Sequence, residues 1–397
     1  MPNLLSLEIG NFRSFYTSQT ISFTVPGPRH VTALYGPNSS GKSNVINALA
    51  AMQSCVFNSA KANWTLPYDP FLLNDGSAMA PTRFAVSFEA DGRVFFYEFS
   101  YNRSQIISET LQEQSANTKK KRTIFSRDVN VGLNSTAAKN GFGKRLASKT
   151  RPETLIVTKG REDNNAYSNY VFDFFESLII VSDIAGEGST PMYVEMLRNN
   201  SDLRERTVKL LRKCDFAIRG IKIESVPVPS EVLDALPFPP EVRREIEARG
   251  GTAFKTIHAV RDSEKTVVRE VEFDFWEQES VGTRKFFEMA VPVIAALESG
   301  RTLFIDEFGS YIHQALASSI VAMFKDPSNE DASLVAITHN TAMMHGDLER
   351  DEIILVEKTM SEESRIVPLA EAGAKKEDAF EKRYRAGYYG AIPFIKE

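Results

Sequence analysis

The first hundred residues show the alternation of hydrophobic and polar positions that is typical of β-strands with one buried face. Period-two alternation covers residues 5–9, 21–25 and 84–88, and residues 94–99 form a less regular candidate. Asp91-Gly92 precedes this last strand and predicts a hairpin turn. Residues 30–35 form an apolar run that predicts a buried strand, and residues 44–52 have the spacing of an amphipathic helix.

The pattern weakens between about residue 101 and about residue 266. Helical spacing is present at residues 166–177, 191–199 and 201–214. Closely spaced prolines then interrupt the chain at Pro227, Pro229, Pro237, Pro239 and Pro240. Because prolines at this density break any long heptad run, the segment predicts a compact helical lobe with mobile loops, not a long coiled-coil arm.

The pattern tightens again after residue 266. Residues 266–276 predict a strand and residues 284–297 an amphipathic helix. Further strands are predicted at residues 302–305, 333–338, 352–356 and 365–369. Strands that alternate with helices predict an α/β fold.

Composition is ordinary for a globular protein, with 42% hydrophobic and 25% charged residues in 397. The net charge of −5 provides no overall basic field that would draw the chain to nucleic acid or membrane. Two distant cysteines, Cys55 and Cys214, suit a reducing compartment. The N-terminus has no signal-peptide pattern and no apolar run reaches the length of a membrane span, so a cytoplasmic location is predicted.

The segment 36–43 fits the phosphate-loop pattern G-x-x-x-x-G-K-[ST], between a predicted strand and a predicted helix. Backbone N–H groups and the helix dipole at such a turn bind phosphate. Lys42 would reach the β- and γ-phosphates, and the Ser43 hydroxyl would ligate Mg²⁺. The predicted binding residues are Gly36, Asn38, Ser39, Gly41, Lys42 and Ser43. The chain is therefore predicted to bind a nucleoside triphosphate.

A second motif follows the apolar run 302–305, which ends in Asp306 and Glu307. This is a Walker B arrangement, in which Asp306 would hold Mg²⁺ and Glu307 would act as general base on the attacking water. Two solvated acids at a strand end are the structural alternative. The long separation between Lys42 and Asp306 indicates the layout of ABC-type ATPases, because more compact nucleotide-binding cores place the two motifs closer together.

ABC-type ATPases imply two further elements. A signature segment shortly before Walker B matches Ser280, Gly282 and Thr283, although an ordinary helix cap would give the same pattern. In the class this segment closes over the γ-phosphate bound by the opposite protomer. A histidine after the next buried strand senses the γ-phosphate in the class, and His339 holds that position. His313 is interpreted as an interface or structural residue.

Together these motifs resemble the SMC/RecF/OLD branch of ABC-type ATPases. The opening segment Asn11-Phe12-Arg13-Ser14-Phe15 is similar to one that begins members of that branch, whose basic residue lies near the nucleotide. The resemblance implies that Arg13 contributes to nucleotide binding. It also implies a mixed-sheet ATPase head formed by residues 1–100 and 266–397, with residues 101–265 as an inserted, mainly helical regulatory lobe.

The segment 381–393 resembles the tail of short bacterial ATPases of anti-phage defence loci, which include RloA-like, AbiL-like and AriA-like (PARIS) proteins. This resemblance implies an ATPase that works with a separate toxic effector, such as a Toprim-type nuclease. The sequence departs from the ABC pattern at two places. The signature keeps a single glycine, Gly282, and residues 67–74 supply no Gln for the Q-loop, so slow or conditional hydrolysis is expected.

The predicted mechanism is an ATP- and Mg²⁺-dependent dimer of two head-to-tail copies, or a higher homo-oligomer, that controls the effector in response to a trigger protein or DNA. ATP in preference to GTP is implied by the class. Two alternatives remain open. One is a RecF-like DNA-repair ATPase whose residues 119–122 contact phosphates, where a solvated loop is the structural alternative. The other is a nucleotide-locked scaffold that does not hydrolyse.

Overall fold

The computed structural model describes residues 2–24, 30–115, 120–182, 190–228, 231, 239–310 and 312–392. Contacts divide the chain into two compact units, one formed by Met1–Asp183 with Ala296–Glu397 and the other by Ile184–Ala295. Some residues on which the sequence predictions touched lie outside the described residues: Val25, Lys119, Pro229, Pro237 and Pro393.

The first unit contains a six-stranded sheet with strand order β16-β15-β3-β14-β13-β9. Its strands are β3 (Val31–Tyr35), β9 (Leu178–Val181), β13 (Thr302–Ile305), β14 (Ser333–Ile337), β15 (Ile353–Lys358) and β16 (Ser364–Pro368). Neighbouring strands pair in parallel except β15 with β16. Every residue of β3 and β13 is buried, as expected for strands covered on both faces. The parallel arrangement brings the carboxyl ends of β3, β13 and β14 to one edge.

The same unit contains an antiparallel sheet with strand order β2-β1-β4-β5-β6-β7-β8. Its strands are β1 (Asn3–Gly10), β2 (Gln19–Ser22), β4 (Thr82–Ala90), β5 (Arg93–Tyr101), β6 (Ile106–Ser115), β7 (Lys121–Asp128) and β8 (Gly132–Leu133). The predicted hairpin at Asp91-Gly92 is confirmed, because Ala90 pairs with Arg93 and both turn residues have positive φ.

Helices are numbered along the whole chain. They are α1 (Lys42–Asn58), α2 (Lys144–Ser148), α3 (Ile156–Glu162), α4 (Ala166–Glu176), α5 (Thr190–Asn199), α6 (Ser201–Lys213), α7 (Pro240–Arg249), α8 (Val281–Ser299), α9 (Gln314–Lys325) and α10 (Phe380–Arg385). In the first unit, α1 buries its apolar face in a core shared with both sheets, where Leu34, Leu49 and Phe84 are fully buried. This core fixes the start of α1 beside the carboxyl end of β3.

The second unit combines helices with an antiparallel sheet of β10 (Ile218–Val226), β11 (Gly251–Arg261) and β12 (Val267–Asp274). Phe254, Phe275 and Phe287 pack their rings together within it. The sequence predicted helices in this part of the chain and the strand at residues 266–276, which is confirmed as β12; the structure adds β10 and β11.

The two units divide the chain differently from the predicted head (1–100 with 266–397) and lobe (101–265). Strands β6 and β7 lie inside the predicted lobe, yet they extend the antiparallel sheet of the first unit by pairing with β5 and with each other. Residues up to Asp183 therefore belong to the first unit, and the second unit ends at Ala295. The predicted α/β fold class with mixed sheets is confirmed.

Candidate nucleotide site

The loop between β3 and α1 depends on two glycines. A Cβ at Gly36 would lie 2.0 Å from the backbone oxygen of Val356. Gly41 has φ +98, and a Cβ there would lie 2.1 Å from Ser364 Oγ and 2.4 Å from Ser14 Oγ. The backbone N–H groups at the start of α1 receive no side-chain cap from Gly41. The sequence therefore builds a tight turn with an open helix N-terminus, which is the geometry that binds phosphate.

This turn forms one side of a cavity of about 520 Å³. The residues that line it are Asn38, Ser39, Ser40, Gly41, Lys42, Ser43, Asn44, Glu307 and His339. Three segments that are far apart in sequence therefore meet at one edge of the six-stranded sheet. Within that cavity the structure brings together the predicted phosphate loop, the acid after β13 and the histidine after β14.

The Lys42 side chain lies along the loop, and Nζ donates hydrogen bonds of 2.9 Å to the backbone oxygens of Gly36 and Pro37. Burial lowers the pKa of Lys42 to about 8, and the nearby Glu307 and Asp306 carboxylates oppose that shift. An anionic phosphate in the cavity would favour the charged ammonium. Ser40 Oγ is buried beside Lys42 and has no hydrogen-bond partner within the described chain, so one donor is free for a ligand.

Ser43 lines the cavity, and Asp306 lies directly before the cavity residue Glu307. Asp306 Oδ1 accepts the backbone N–H of Glu307 at 2.9 Å. Asp306 is buried, and that burial raises its pKa, whereas the nearby Ser43 hydroxyl and the Glu307 N–H act in the opposite direction. A hydroxyl and a buried carboxylate are oxygen ligands that suit Mg²⁺, and a cation would relieve the cost of the buried charge.

Glu307 is half-buried and has φ +55, an uncommon conformation for a residue with a side chain. Its Oε2 accepts a hydrogen bond of 2.7 Å from Ser310 Oγ. The turn that follows β13 thus holds the carboxylate at the cavity wall in a strained backbone conformation. Strain of this kind is concentrated at functional sites.

His339 follows β14 and is exposed towards the cavity. Partial desolvation, together with the Lys42 cation, lowers the pKa of His339, so the neutral imidazole is favoured. Its position is set by the preceding Thr338, whose Oγ1 donates to the Phe308 backbone oxygen at 2.6 Å. The backbone N–H of Asn340 in turn donates to Thr338 Oγ1 at 3.0 Å.

Arg13 does not line the cavity but contacts its wall. Its Nη1 is 3.5 Å from Asn44 Oδ1, and its Nε donates to Asp69 Oδ2 at 2.8 Å. The backbone N–H of Arg13 also donates to the backbone oxygen of Asp69. Asp69 lies in residues 67–74, the position expected for a Q-loop. Hydrogen bonds therefore connect that segment to the N-terminal segment 11–15. Both Asn11 and Arg13 have positive φ, which shapes this tight contact.

The signature residues lie in the second unit and are not among those that line the cavity. Ser280 caps α8, with its Oγ accepting the backbone N–H of Thr283 at 3.1 Å. Among the described residues, a Cβ at Gly282 would meet only Ser280 Oγ, at 3.8 Å, so the described part of the unit does not require glycine there. The geometry fits the helix-cap interpretation, and no described neighbour explains the absence of a side chain at Gly282.

The sequence did not predict the residues whose hydrogen bonds support the phosphate loop. Ser364 Oγ donates to the Ser40 backbone oxygen at 2.6 Å and accepts from the Ser14 hydroxyl at 2.7 Å. Asn44 Nδ2 donates to Ser14 Oγ at 2.8 Å. Ser14 lies in the quoted N-terminal segment, which was the available signal. Ser364 is a serine at the start of a strand, and nothing in its sequence context marks it.

Two residues of the basic run near residue 120, Lys121 and Arg122, contact neighbouring side chains. Arg122 pairs with Glu113 at 2.6 Å and donates to Tyr167 Oη. The Lys121 ammonium lies 3.6 Å from the centroid of the Phe96 ring. Both cations therefore have partners in β6, α4 and β5.

No group of three or more His, Cys, Asp or Glu side chains among the described residues is arranged to hold a metal ion. None of the described helices combines the length and apolar character needed to cross a bilayer.

Comparison with known families gives one match. A family described as "AAA domain, putative AbiEii toxin, Type IV TA system" matches residues 31–165 and 183–344, which is more than half of the chain. The matched ranges contain the phosphate loop, the acids after β13 and His339. No curated protein matches the chain.

Solved structures similar to the chain include SMC head domains. The SMC head domain from Thermotoga maritima is 17% identical with a TM-score of 0.44, covering 92% of this chain and 98% of that one. An SMC head bound to the C-terminal winged-helix domain of ScpA is 12% identical with a TM-score of 0.47, covering 92% and 97%. A Pyrococcus furiosus SMC head with an extended coiled coil, bound to the C-terminal domain of ScpA, is 13% identical with a TM-score of 0.43, covering 92% and 96%.

Proposed function

The chain belongs to the AAA-domain ATPase family described as putative AbiEii toxin of a type IV TA system, and from this premise we propose that it binds ATP with Mg²⁺ and hydrolyses ATP. The observation that carries the proposal is the shared cavity, in which Lys42, Glu307 and His339 converge on an open helix N-terminus. Binding and hydrolysis of a triphosphate require a cation for the phosphates, a base for the water and a group near the γ-phosphate.

Each residue then has one task. The N–H groups of the loop and Lys42 bind the phosphate oxygens, while Ser43 and Asp306 hold Mg²⁺. The metal would supply charge neutralisation at the β- and γ-phosphates. Glu307 takes the proton of the attacking water on a carboxylate oxygen, and Ser310 keeps that carboxylate oriented through its 2.7 Å hydrogen bond. His339, favoured in its neutral form, accepts or donates one hydrogen bond at the γ-phosphate.

The active form in this proposal is a head-to-tail dimer or a higher homo-oligomer. Ser280, Gly282 and Thr283 of one copy would face the phosphates held by Lys42 of the other. Support comes from Gly282, whose lack of a side chain no described neighbour explains, and from the exposed N-terminus of α8. ATP would then shift the population from separate copies towards the head-to-tail assembly, to the extent that ATP binds the assembly more tightly than the separate copies.

The biological role that we propose is control of a separate toxic effector, such as a Toprim-type nuclease, in an anti-phage defence system of the RloA/AbiL/AriA-like type. The family description names a type IV TA system, which supports a defence function, and the resemblance of the tail motif supports control of a separate effector. The RecF-like alternative is less favoured, because Lys121 and Arg122 already interact with Phe96 and Glu113. The non-hydrolysing scaffold is an outcome of the tests below.

The experiment on this role is a tagged pull-down of Glu307→Gln with ATP, from cells that carry the native neighbouring genes. The expected result is a stoichiometric partner that is toxic when it is expressed without this chain. Glu330→Gln, which changes an exposed glutamate before β14, at the opposite end of that strand from His339, is the matched control. Recovery of the chain with DNA and without a protein partner would contradict effector control and favour the repair function.

A further inference from the structure

The segment after residue 379 contacts the turn that carries His339. Helix α10 buries Phe380 and Tyr384, which are 8% and 7% exposed. The Tyr384 ring meets the Tyr35 ring edge-on, with centroids 6.1 Å apart. Tyr35 is the last residue of β3, and its hydroxyl donates to the backbone oxygen of Asn340 at 3.1 Å. Helix α10 therefore reaches Asn340, the residue after His339, through a single intervening side chain, that of Tyr35.

A second contact reaches the same turn directly. Thr341 Oγ1 donates to Glu381 Oε1 at 3.4 Å, from the 3₁₀ turn Thr341–Met344 to the first turn of α10. On its other side, the turn is tied to the loop after β13 by Thr338. His339 therefore lies between two contacts. Thr338, before it, contacts the loop after β13, and Thr341, after it, contacts α10.

The C-terminal segment is ordered by its own contacts. Tyr384 Oη donates to the Ala391 backbone oxygen at 2.8 Å, and Tyr389 Oη donates to Asp378 Oδ2 at 2.9 Å. Gly387, at φ +78, forms the reversal between the helix and residue 391. These hydrogen bonds close residues 378–391 into a small folded unit against Tyr35. The segment lies beyond residue 344, where the family match ends.

We propose that residues 380–391 form a brace that positions His339, with Tyr35, Tyr384 and Glu381 as positioning residues. The brace acts on the backbone of Asn340 through Tyr35, and on the side chain of Thr341 through Glu381, and touches neither nucleotide nor water itself. Removal of the brace leaves the phosphate loop and its Ser364 support in place. It should therefore make the turn that carries His339 more mobile without lowering the affinity for the triphosphate. The catalytic consequence rests on the role proposed for His339, whereas the structural consequence does not.

The structural consequence is tested by amide hydrogen exchange on the nucleotide-free protein. Tyr384→Ala is expected to speed exchange in residues 338–345 by about tenfold, because local opening is governed by the contacts that hold a segment. Tyr388→Ala is the matched control, since Tyr388 lies in the same segment, is 75% exposed, and makes no contact with the turn. Glu381→Ala removes the hydrogen bond to Thr341 from a solvent-accessible position and should speed exchange in the same residues if Tyr384→Ala fails to fold. Unchanged exchange in a folded Tyr384→Ala or Glu381→Ala variant would overturn the brace.

The catalytic consequence is tested with ATP in the same preparations. Tyr384→Ala is expected to lower kcat by about tenfold while the nucleotide Kd stays within about twofold, because misplacement of a positioned group affects the reaction more than binding. In a His339→Ala background, the same substitution should have no further effect on kcat. Full additivity of the two losses would contradict the proposal. Absence of hydrolysis in the unmodified chain would instead contradict the proposed function, and the exchange result would still decide the brace.

Discussion

The hydroxyl of Ser43, at the start of α1, lies near the carboxylate of Asp306, which follows β13, and opposes the rise in the pKa of that carboxyl. The two residues are far apart in sequence, and the parallel order β3-β14-β13 brings their strands to one edge of the sheet. This proximity joins the two halves of the nucleotide motif. It also places two oxygen ligands where a Mg²⁺ ion coordinated by the phosphates would bind.

Gly41→Ala should abolish the phosphate loop while leaving the fold intact. The new Cβ would meet Ser364 Oγ and Ser14 Oγ at less than 2.5 Å, and the positive φ adds strain of about 1–2 kcal/mol. ATP affinity should fall at least about tenfold in a fluorescent-nucleotide titration. Gly76→Ala is the control, because Gly76 has φ +88 with no atom within 4 Å of the added Cβ. Equal loss of affinity in both variants would contradict the steric explanation.

Ser280→Ala should reduce hydrolysis by more than the loss of a helix cap explains. Cap removal costs about 1 kcal/mol of stability, and Asn200→Ala removes a comparable cap, to the backbone N–H of Leu203, in the same unit. Hydrolysis is expected to fall in Ser280→Ala and to remain near the original rate in Asn200→Ala. Mixing Ser280→Ala with Lys42→Ala should restore part of the activity, because a mixed dimer contains one intact composite site. No recovery on mixing would contradict a site shared between copies.

Glu109→Gln should change how stability depends on pH. Glu109 is fully buried in β6 and accepts the backbone N–H groups of Ile156 and Val157 at the start of α3. Burial raises its pKa, against the lowering effects of Arg127 and these N–H donors, so the folded state holds the proton more tightly than the unfolded state. The resulting stability is full below the ordinary carboxyl pKa and is lost as pH rises through the raised value.

Because glutamine cannot ionise, the free energy of unfolding of the variant should decline less than that of the unmodified chain as pH rises above the ordinary carboxyl pKa. The measurement is chemical denaturation at a series of pH values. Glu98→Gln, at a half-buried position of β5 where the side chain pairs with Arg83, serves as control and should keep the original slope. An identical slope in Glu109→Gln and the unmodified chain would show that Glu109 does not titrate in this range.

Much of the site followed from the sequence because its chemistry is local. The loop 36–43 needs glycines with special geometry, and both acids directly follow an apolar run, so pattern and chemistry coincide. Helices α4, α5 and α6 also match their predicted ranges within two residues. Their apolar spacing is regular because each buries one face.

The parts that were missed depend on distant contacts. Strand β6 is largely half-buried and its register shifts between Leu111 and Gln112, so it lacks clean alternation and was assigned to the lobe. Strand β9 has four residues and directly follows α4, where a short apolar run does not separate strand from helix. The support of Gly41 by Ser364 arises only when β16 folds against the loop, and no local pattern encodes it.

Glu307→Gln tests the central claim most directly, with hydrolysis, bound nucleotide and native mass measured on one preparation. The account predicts a fall in hydrolysis of about 10²–10⁴-fold, with ATP retained on the protein and a larger share of dimer or higher oligomer than in the absence of nucleotide. Glu330→Gln should hydrolyse as the unmodified chain does. A hydrolysis rate unchanged by Glu307→Gln would contradict Glu307 as the base, and a monomer with ATP bound would contradict the composite site.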